Sequence, residues 1–167
     1  MADRLPELVI ASSCSKNFGL YRERTGSITF ITETPEQADI VAAQAMSVAR
    51  QIYSMPPAHG ALLVSLILGD KQLRANWEEE LTEVRTRIQS MRSLLADNIQ
   101  QNAAGIDFSH IKQQKGMFSF LGLNTAQLDQ LRDEFGIYIV SSSRVNLAGI
   151  NSSNIDYLSD SIISVLK

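Results

Sequence analysis

The sequence predicts an α/β fold made of the remnant of a mostly parallel sheet domain, a long bridging helix and a small α+β domain. Three observations carry this expectation. Leu8-Val9-Ile10-Ala11 is a short unbroken apolar run, the pattern of a strand covered on both faces. Leu73, Trp77, Leu81, Val84, Ile88, Met91, Leu95 and Ile99 recur at spacings of three and four, an amphipathic stripe from about Asp70 to Gln101. Beyond Gly105 the pattern changes to short strand-like and helix-like stretches in alternation. The expected division is therefore 1–69, 70–103 and 104–167.

The elements follow in order. Ser12 to Gly26 is polar, contains two glycines and reads as a loop; Ser27 to Thr32, with Ile28, Phe30 and Ile31, reads as a second strand. Pro35 suits the first turn of a helix and Thr34 suits its N-cap; this helix should reach about Tyr53, with Ile40, Val41, Ala45 and Val48 on one side. Pro56-Pro57 ends it, because proline lacks an N–H and restricts the residue before it. A further helix is expected over about His59 to Leu68, and the long one after it should carry a Glu83–Arg87 pair on its surface. Then come a strand at Met117 to Leu121, a helix at Thr125 to Phe135, strands at Ile137 to Val140 and Val145 to Ala148, and a last helix to Leu166 capped by Asn151 or Ser152. A two-sided strand near Met1 with only one more strand before the helices implies that the upstream half of a sheet domain is missing, and that an apolar patch lies bare beside Leu8 to Ala11.

Composition narrows the classes of function. The chain has 167 residues, 44% of them apolar and 20% charged, with a net charge of −3. This gives no basic face for nucleic acid and no polybasic patch for a membrane surface. The longest apolar run, near Ala61 to Leu68, is too short to span a bilayer. One cysteine, Cys14, leaves no internal disulfide, and with two scattered histidines no metal site is expected. The cytoplasm is the expected compartment.

The chemistry is concentrated in Ser12-Ser13-Cys14-Ser15-Lys16-Asn17-Phe18-Gly19-Leu20-Tyr21-Arg22-Glu23-Arg24-Thr25-Gly26. One short loop offers a lysine, several hydroxyls and two arginines. A lysine amine freed of its proton attacks an aldehyde, and a phosphate takes an arginine fork plus hydroxyl donors. Spacing alone does not separate this from a solvated polar loop.

The stretch from Ser13 to Gly26 resembles, without a gap, the cofactor-lysine signature of the aspartate and aromatic aminotransferases, class I, fold-type I pyridoxal-phosphate enzymes. Three further segments are similar to that family: Tyr53-Ser54-Met55-Pro56-Pro57-Ala58-His59-Gly60-Ala61, Gly116-Met117-Phe118-Ser119-Phe120 and Ser143-Arg144-Val145-Asn146-Leu147-Ala148-Gly149. The resemblance covers essentially the whole chain and only the C-terminal part of the family, from the cofactor lysine onward. It implies that 1–69 is the end of the large cofactor-binding domain, 70–103 the bridging helix and 104–167 the small C-terminal domain.

The resemblance also implies roles. Lys16 would carry pyridoxal 5'-phosphate covalently and later move a proton between the substrate Cα and the cofactor's C4′ carbon. Ser13 and Arg24 would hold the cofactor phosphate, with Ser15 a lesser candidate. Arg144 would clamp the substrate α-carboxylate by two parallel hydrogen bonds. Arg50 would reach a substrate's second carboxylate in a neighbouring subunit's site, which implies a homodimer in the full-length enzyme. The substrates would be an amino acid, aspartate first and aromatic ones next, and a 2-oxo acid. Against these stand plainer readings: Arg50 as a cation favouring a helix C-terminus, Arg144 as a solvated edge residue, His59 as a turn or capping residue and Cys14 as an inert loop residue. His110 has no partner pattern.

Two departures are local: Met55 stands where the family often has asparagine, and Ser142-Ser143 precede Arg144 where glycine is common. The larger one is length. The family's aspartate on the pyridine nitrogen, its groups on the ring hydroxyl and ring face and its glycine-rich phosphate loop lie outside the part this sequence resembles. The expectation is a fragment of a genuine aminotransferase, inactive or very weak alone. The alternative is a non-catalytic binding or dimerising remnant.

Overall fold

The computed structural model describes residues 4–103 and 105–167. The chain forms two compact units, Met1–Glu79 and Glu80–Lys167.

In the first unit, β1 (Leu8–Ser13) and β2 (Gly26–Ile31) form an antiparallel pair, with Leu8 opposite Ile31 and Ser13 opposite Gly26. A side chain at Gly26 would place its Cβ 2.4 Å from the Ser12 carbonyl oxygen, so only glycine lets the strands close at this end. The unbroken apolar run suggested burial on both faces and a parallel neighbour. Here the pairing is antiparallel, and Val9, Ile10 and Ile28 are 59%, 41% and 58% exposed. The physical reason is the connection: a loop from Cys14 to Thr25 returns the chain beside itself, whereas parallel pairing needs a crossover. The bare apolar patch beside Leu8 to Ala11 is present.

α1 (Pro35–Tyr53) starts as the sequence predicts. Thr34 accepts the Gln37 N–H, the Gln37 side chain accepts the Thr34 N–H, and Pro35 opens the first turn. None of its residues is buried. α2 (His59–Gly69) follows the two prolines, and α3 (Lys71–Asn102) begins where the Asp70 carboxylate accepts the N–H groups of Gln72 and Leu73 at 2.9 Å. No helix among the described residues is long and apolar enough to cross a membrane.

The second unit holds the remainder of α3, then α4 (Ser109–Gln113), β3 (Phe118–Phe120), α5 (Thr125–Phe135), β4 (Arg144–Asn146), a 3-10 turn (Leu147–Gly149) and α6 (Ile155–Leu166). Leu95, Ile99, Ile111, Leu131, Leu147 and Ile162 are fully buried in its core, and Arg92, Ser119, Ser143, Ser159 and Ser161 are buried with them. α5 opens on a capping box between Asn124 and Gln127 and ends on Gly136, whose φ of 63° lets its N–H turn back to the Arg132 and Leu131 carbonyls.

Four expectations are corrected here. Ile137 to Val140 is not a strand. Ile137 and Ile139 pack on the core while Tyr138 faces solvent, which imitates strand alternation, but among the described residues no strand pairs with this segment. The strand expected to Ala148 stops at Asn146, whose side chain accepts the Ala148 N–H at 3.0 Å and turns the chain into the 3-10 segment. The last helix starts at Ile155 without a side-chain cap from Asn154; Asn151 instead accepts from the Ser153 N–H and hydroxyl in the turn before it. Arg87 turns from the expected Glu83 pairing to donate to the carbonyls of Ile150 and Ala148, both at 3.1 Å. A single turn, α4, was not anticipated.

Candidate functional site

Ser15, Lys16 and Arg24 lie on the loop between β1 and β2, and Ser13 is the last residue of β1. The loop is tied at its base by the Cys14 N–H donating to the Thr25 carbonyl at 3.0 Å, and folded inside by the N–H groups of Phe18 and Leu20 donating to the Cys14 carbonyl. Ser13 and Ser15 are linked, hydroxyl to hydroxyl, at 3.0 Å, and the Ser15 N–H donates to the Ser13 hydroxyl at 3.2 Å. Ser15 is buried; Ser13 is exposed. Lys16 is exposed, with its Nζ 5.2 Å from the centre of the Tyr21 ring. Arg24 adopts φ 52° and donates from a guanidinium nitrogen to the Tyr21 carbonyl at 3.0 Å. A non-glycine residue in the left-handed region is uncommon, and here it turns the arginine back over its own loop.

Three residues from elsewhere in the first unit support this loop: Trp77, His59 and Gly60. Trp77, on the first turns of α3, stacks on Phe18 with ring centroids 4.6 Å apart and donates its indole N–H to the Asn17 carbonyl at 2.8 Å. As a member of the apolar stripe it looked like ordinary packing. Its aromatic type, with an N–H that seeks an acceptor, was the available signal. Glu23 accepts a hydrogen bond from His59 Nδ1 at 3.1 Å, so His59 opens α2 and also reaches the loop. Gly60 packs so closely on the loop that a Cβ there would lie 2.0 Å from the Thr25 hydroxyl and 2.7 Å from the Glu23 Cβ.

Arg50 lies exposed in the last turn of α1, where its carbonyl accepts the Ser54 N–H. Among the described residues no hydrogen bond or ion pair joins its guanidinium to the Lys16 loop. Arg144 belongs to the second unit. It opens β4, pairs in register with Phe120 of β3, is exposed, and sets its guanidinium carbon 4.6 Å from the centre of the Phe118 ring. The residue before it, Ser143, is 3% exposed, has φ 59°, and accepts the Leu123 N–H on its hydroxyl at 2.9 Å. Cys14 is half-buried in the loop and Met55 is 84% exposed. His110 meets the Phe120 carbonyl at 3.2 Å and lies tilted against Phe108.

The first unit presents a primary amine, two linked hydroxyls and a guanidinium on one loop and the strand end before it; the second presents a guanidinium on an aromatic face. The family model for aminotransferase class I and II matches residues 1–162. The chain belongs to the class I and II aminotransferases. It is 50% identical over 160 residues to an aspartate aminotransferase of Haemophilus influenzae, covering 96% of this chain and 40% of that one. It is 42% identical over 164 residues to an aromatic-amino-acid aminotransferase of Pseudomonas aeruginosa, covering 98% of this chain and 41% of that one. The structure of an aromatic-amino-acid aminotransferase from Burkholderia pseudomallei, covalently bound to pyridoxal phosphate, aligns with a TM-score of 0.90 at 43% identity, over 96% of this chain and 40% of that one. The fold of this aminotransferase chain is thus that of a fold-type I enzyme in part, and the chain spans about 40% of the length of the curated relatives it matches.

Proposed function

We propose that these residues serve pyridoxal-phosphate-dependent amino transfer between an amino acid and a 2-oxo acid, as part of an aspartate/aromatic-type aminotransferase. The observation that carries the proposal is the β1–β2 loop, where the Lys16 amine lies 5.2 Å from the Tyr21 ring, the Arg24 guanidinium donates to the Tyr21 carbonyl, and the Ser13 and Ser15 hydroxyls are linked at 3.0 Å. This donor set fits an aldehyde-bearing aromatic phosphate. Lys16 would hold the cofactor's aldehyde carbon, and Ser13, Ser15 and Arg24 its phosphate, the guanidinium matching phosphate oxygens as a fork. When bound, the cofactor supplies the electron sink for bond breaking at the substrate Cα. With the cofactor bound, Lys16 Nζ would also carry a proton between the substrate Cα and the cofactor's C4′ carbon. Trp77 and Phe18 would keep the loop from collapsing around the lysine.

Arg144, whose guanidinium lies against Phe118, would bind the substrate α-carboxylate. Arg50 would meet a side-chain carboxylate across a homodimer, which favours aspartate and 2-oxoglutarate over aromatic substrates. The division 1–69, 70–103 and 104–167 into cofactor-domain end, bridging helix and small domain belongs to the same reading, as does a cytoplasmic location.

The test is a half-reaction. The 167-residue chain, loaded with pyridoxal phosphate, is mixed with aspartate and the formation of pyridoxamine phosphate is followed by chromatography. Slow conversion above that of free cofactor, abolished by Lys16→Ala, is the expected result. Equal conversion by both chains would overturn the role of Lys16. Full turnover of aspartate with 2-oxoglutarate at the rate of a full-length relative would overturn the expectation that this chain is a very weak enzyme alone.

A further inference from the structure

The second unit buries a charge that the proposed reaction leaves without a task. Arg92, on α3, is 4% exposed and sits beside the fully buried Leu95 and Ala96. Its Nε donates to the Ser119 hydroxyl at 3.3 Å, and a terminal nitrogen donates to the Gly116 carbonyl. Both partners are neutral, and burial pulls the Arg92 pKa below its ordinary value. A guanidinium held in a core by neutral acceptors costs more than an apolar residue of like volume would, so stability alone does not explain it.

The two acceptors say what the side chain holds. Gly116 lies just ahead of β3 with φ 83°, and Ser119, fully buried, is the middle residue of β3. Arg92 therefore grips the strand at its entry and at its centre. Successive strand residues face opposite ways, so Phe118 and Phe120 share the face away from Ser119. On that face Phe120 pairs in register with Arg144, and the Phe118 ring lies under the Arg144 guanidinium at 4.6 Å. The path from Arg92 to Arg144 runs through one strand of three residues.

We propose that Arg92 is a positioning residue for Arg144: by fixing β3 from beneath, it holds the Phe118 ring and the Phe120 backbone where they aim the Arg144 guanidinium at a substrate carboxylate. This rests on the reading of Arg144 as the carboxylate clamp. Lysine cannot replace it, because one ammonium point charge does not span both acceptors at the fork's geometry.

The experiment uses the full 167-residue chain labelled with 15N-arginine. The Arg144 Nε–H resonance is assigned by its loss in Arg144→Lys. In the unaltered chain the Phe118 ring should shift it upfield. Arg92→Lys should keep the helical signal and the methyl resonances of Leu131 and Ile162, yet lose that upfield shift; Ser119→Ala should lose part of it. An Arg144 resonance at its original place in folded Arg92→Lys would overturn the proposal. If Arg92→Lys does not fold, Ser119→Ala decides: partial loss of the shift supports positioning, and no change overturns it. Titrating the unaltered chain with succinate separates the two readings. No response of Arg144 would overturn the clamp, whereas the dependence of its ring shift on Arg92 is read without any ligand.

Discussion

Ser143 carries two opposed effects in one residue. Its φ of 59° is a conformation in which a Cβ crowds the backbone, and its buried hydroxyl accepts the Leu123 N–H at 2.9 Å. Removing the hydroxyl alone leaves that buried N–H without a partner, so Ser143→Ala should destabilise the second unit by about 1–3 kcal/mol. Ser143→Gly loses the same bond but relieves about 1 kcal/mol of backbone crowding, so it should cost less than the alanine variant. Thermal unfolding of the two variants checks the order; an alanine variant as stable as the glycine variant would contradict it. At this scale the sequence was informative wherever a motif was continuous. Ser15, Lys16 and Arg24 stand in one loop, with Ser13 at the strand end before it, because they are close in the chain. Trp77, Gly60 and Arg92 were not legible, since their partners Asn17, Thr25 and Ser119 are remote in sequence and only folding brings them near.

The starts of α1 and α5 were readable because their physics is local, whereas those of α4 and α6, which no side chain caps, were not. Thr34 with Gln37 and Asn124 with Gln127 each satisfy free N–H groups within one turn, and both helices begin where those residues say. Asn124→Ala should cost the second unit about 1 kcal/mol, measured as a lower urea midpoint with an unchanged slope. No change in midpoint would mean that the α5 N-terminus is held by packing alone. Strands were less readable. Alternation at Ile137 to Val140 reports which side chains meet the core, and a loop pressed on a core alternates just as a strand does. Pairing direction depends on what else the chain lays alongside, which is why Leu8 to Ala11 pairs antiparallel with β2 rather than with a parallel neighbour. Asn146 ended the last strand early through its own side chain, a local competition that composition alone does not reveal.

Across the whole chain, the buried apolar side chains among the described residues lie between Leu95 and Val165, all in the second unit. The first unit instead exposes Val9, Ile28, Ile40, Leu62 and Leu66. Backbone amides open most easily where few apolar contacts hold them. Hydrogen exchange should therefore be slowest at Leu95, Ile99, Leu131 and Ile162 and much faster throughout α1 and α2; equal protection of the two units would contradict this. The bare apolar surface of the first unit should also bind a hydrophobic dye. On the proposed reading the Lys16 loop gathers the cofactor, and borohydride trapping reports this. The chain is mixed with pyridoxal phosphate, reduced with borohydride, digested and mapped by mass spectrometry, with Lys16→Ala as the control. Saturable labelling at Lys16, absent from the control, is the expected result; labelling spread over many lysines and unchanged by Lys16→Ala would contradict that reading.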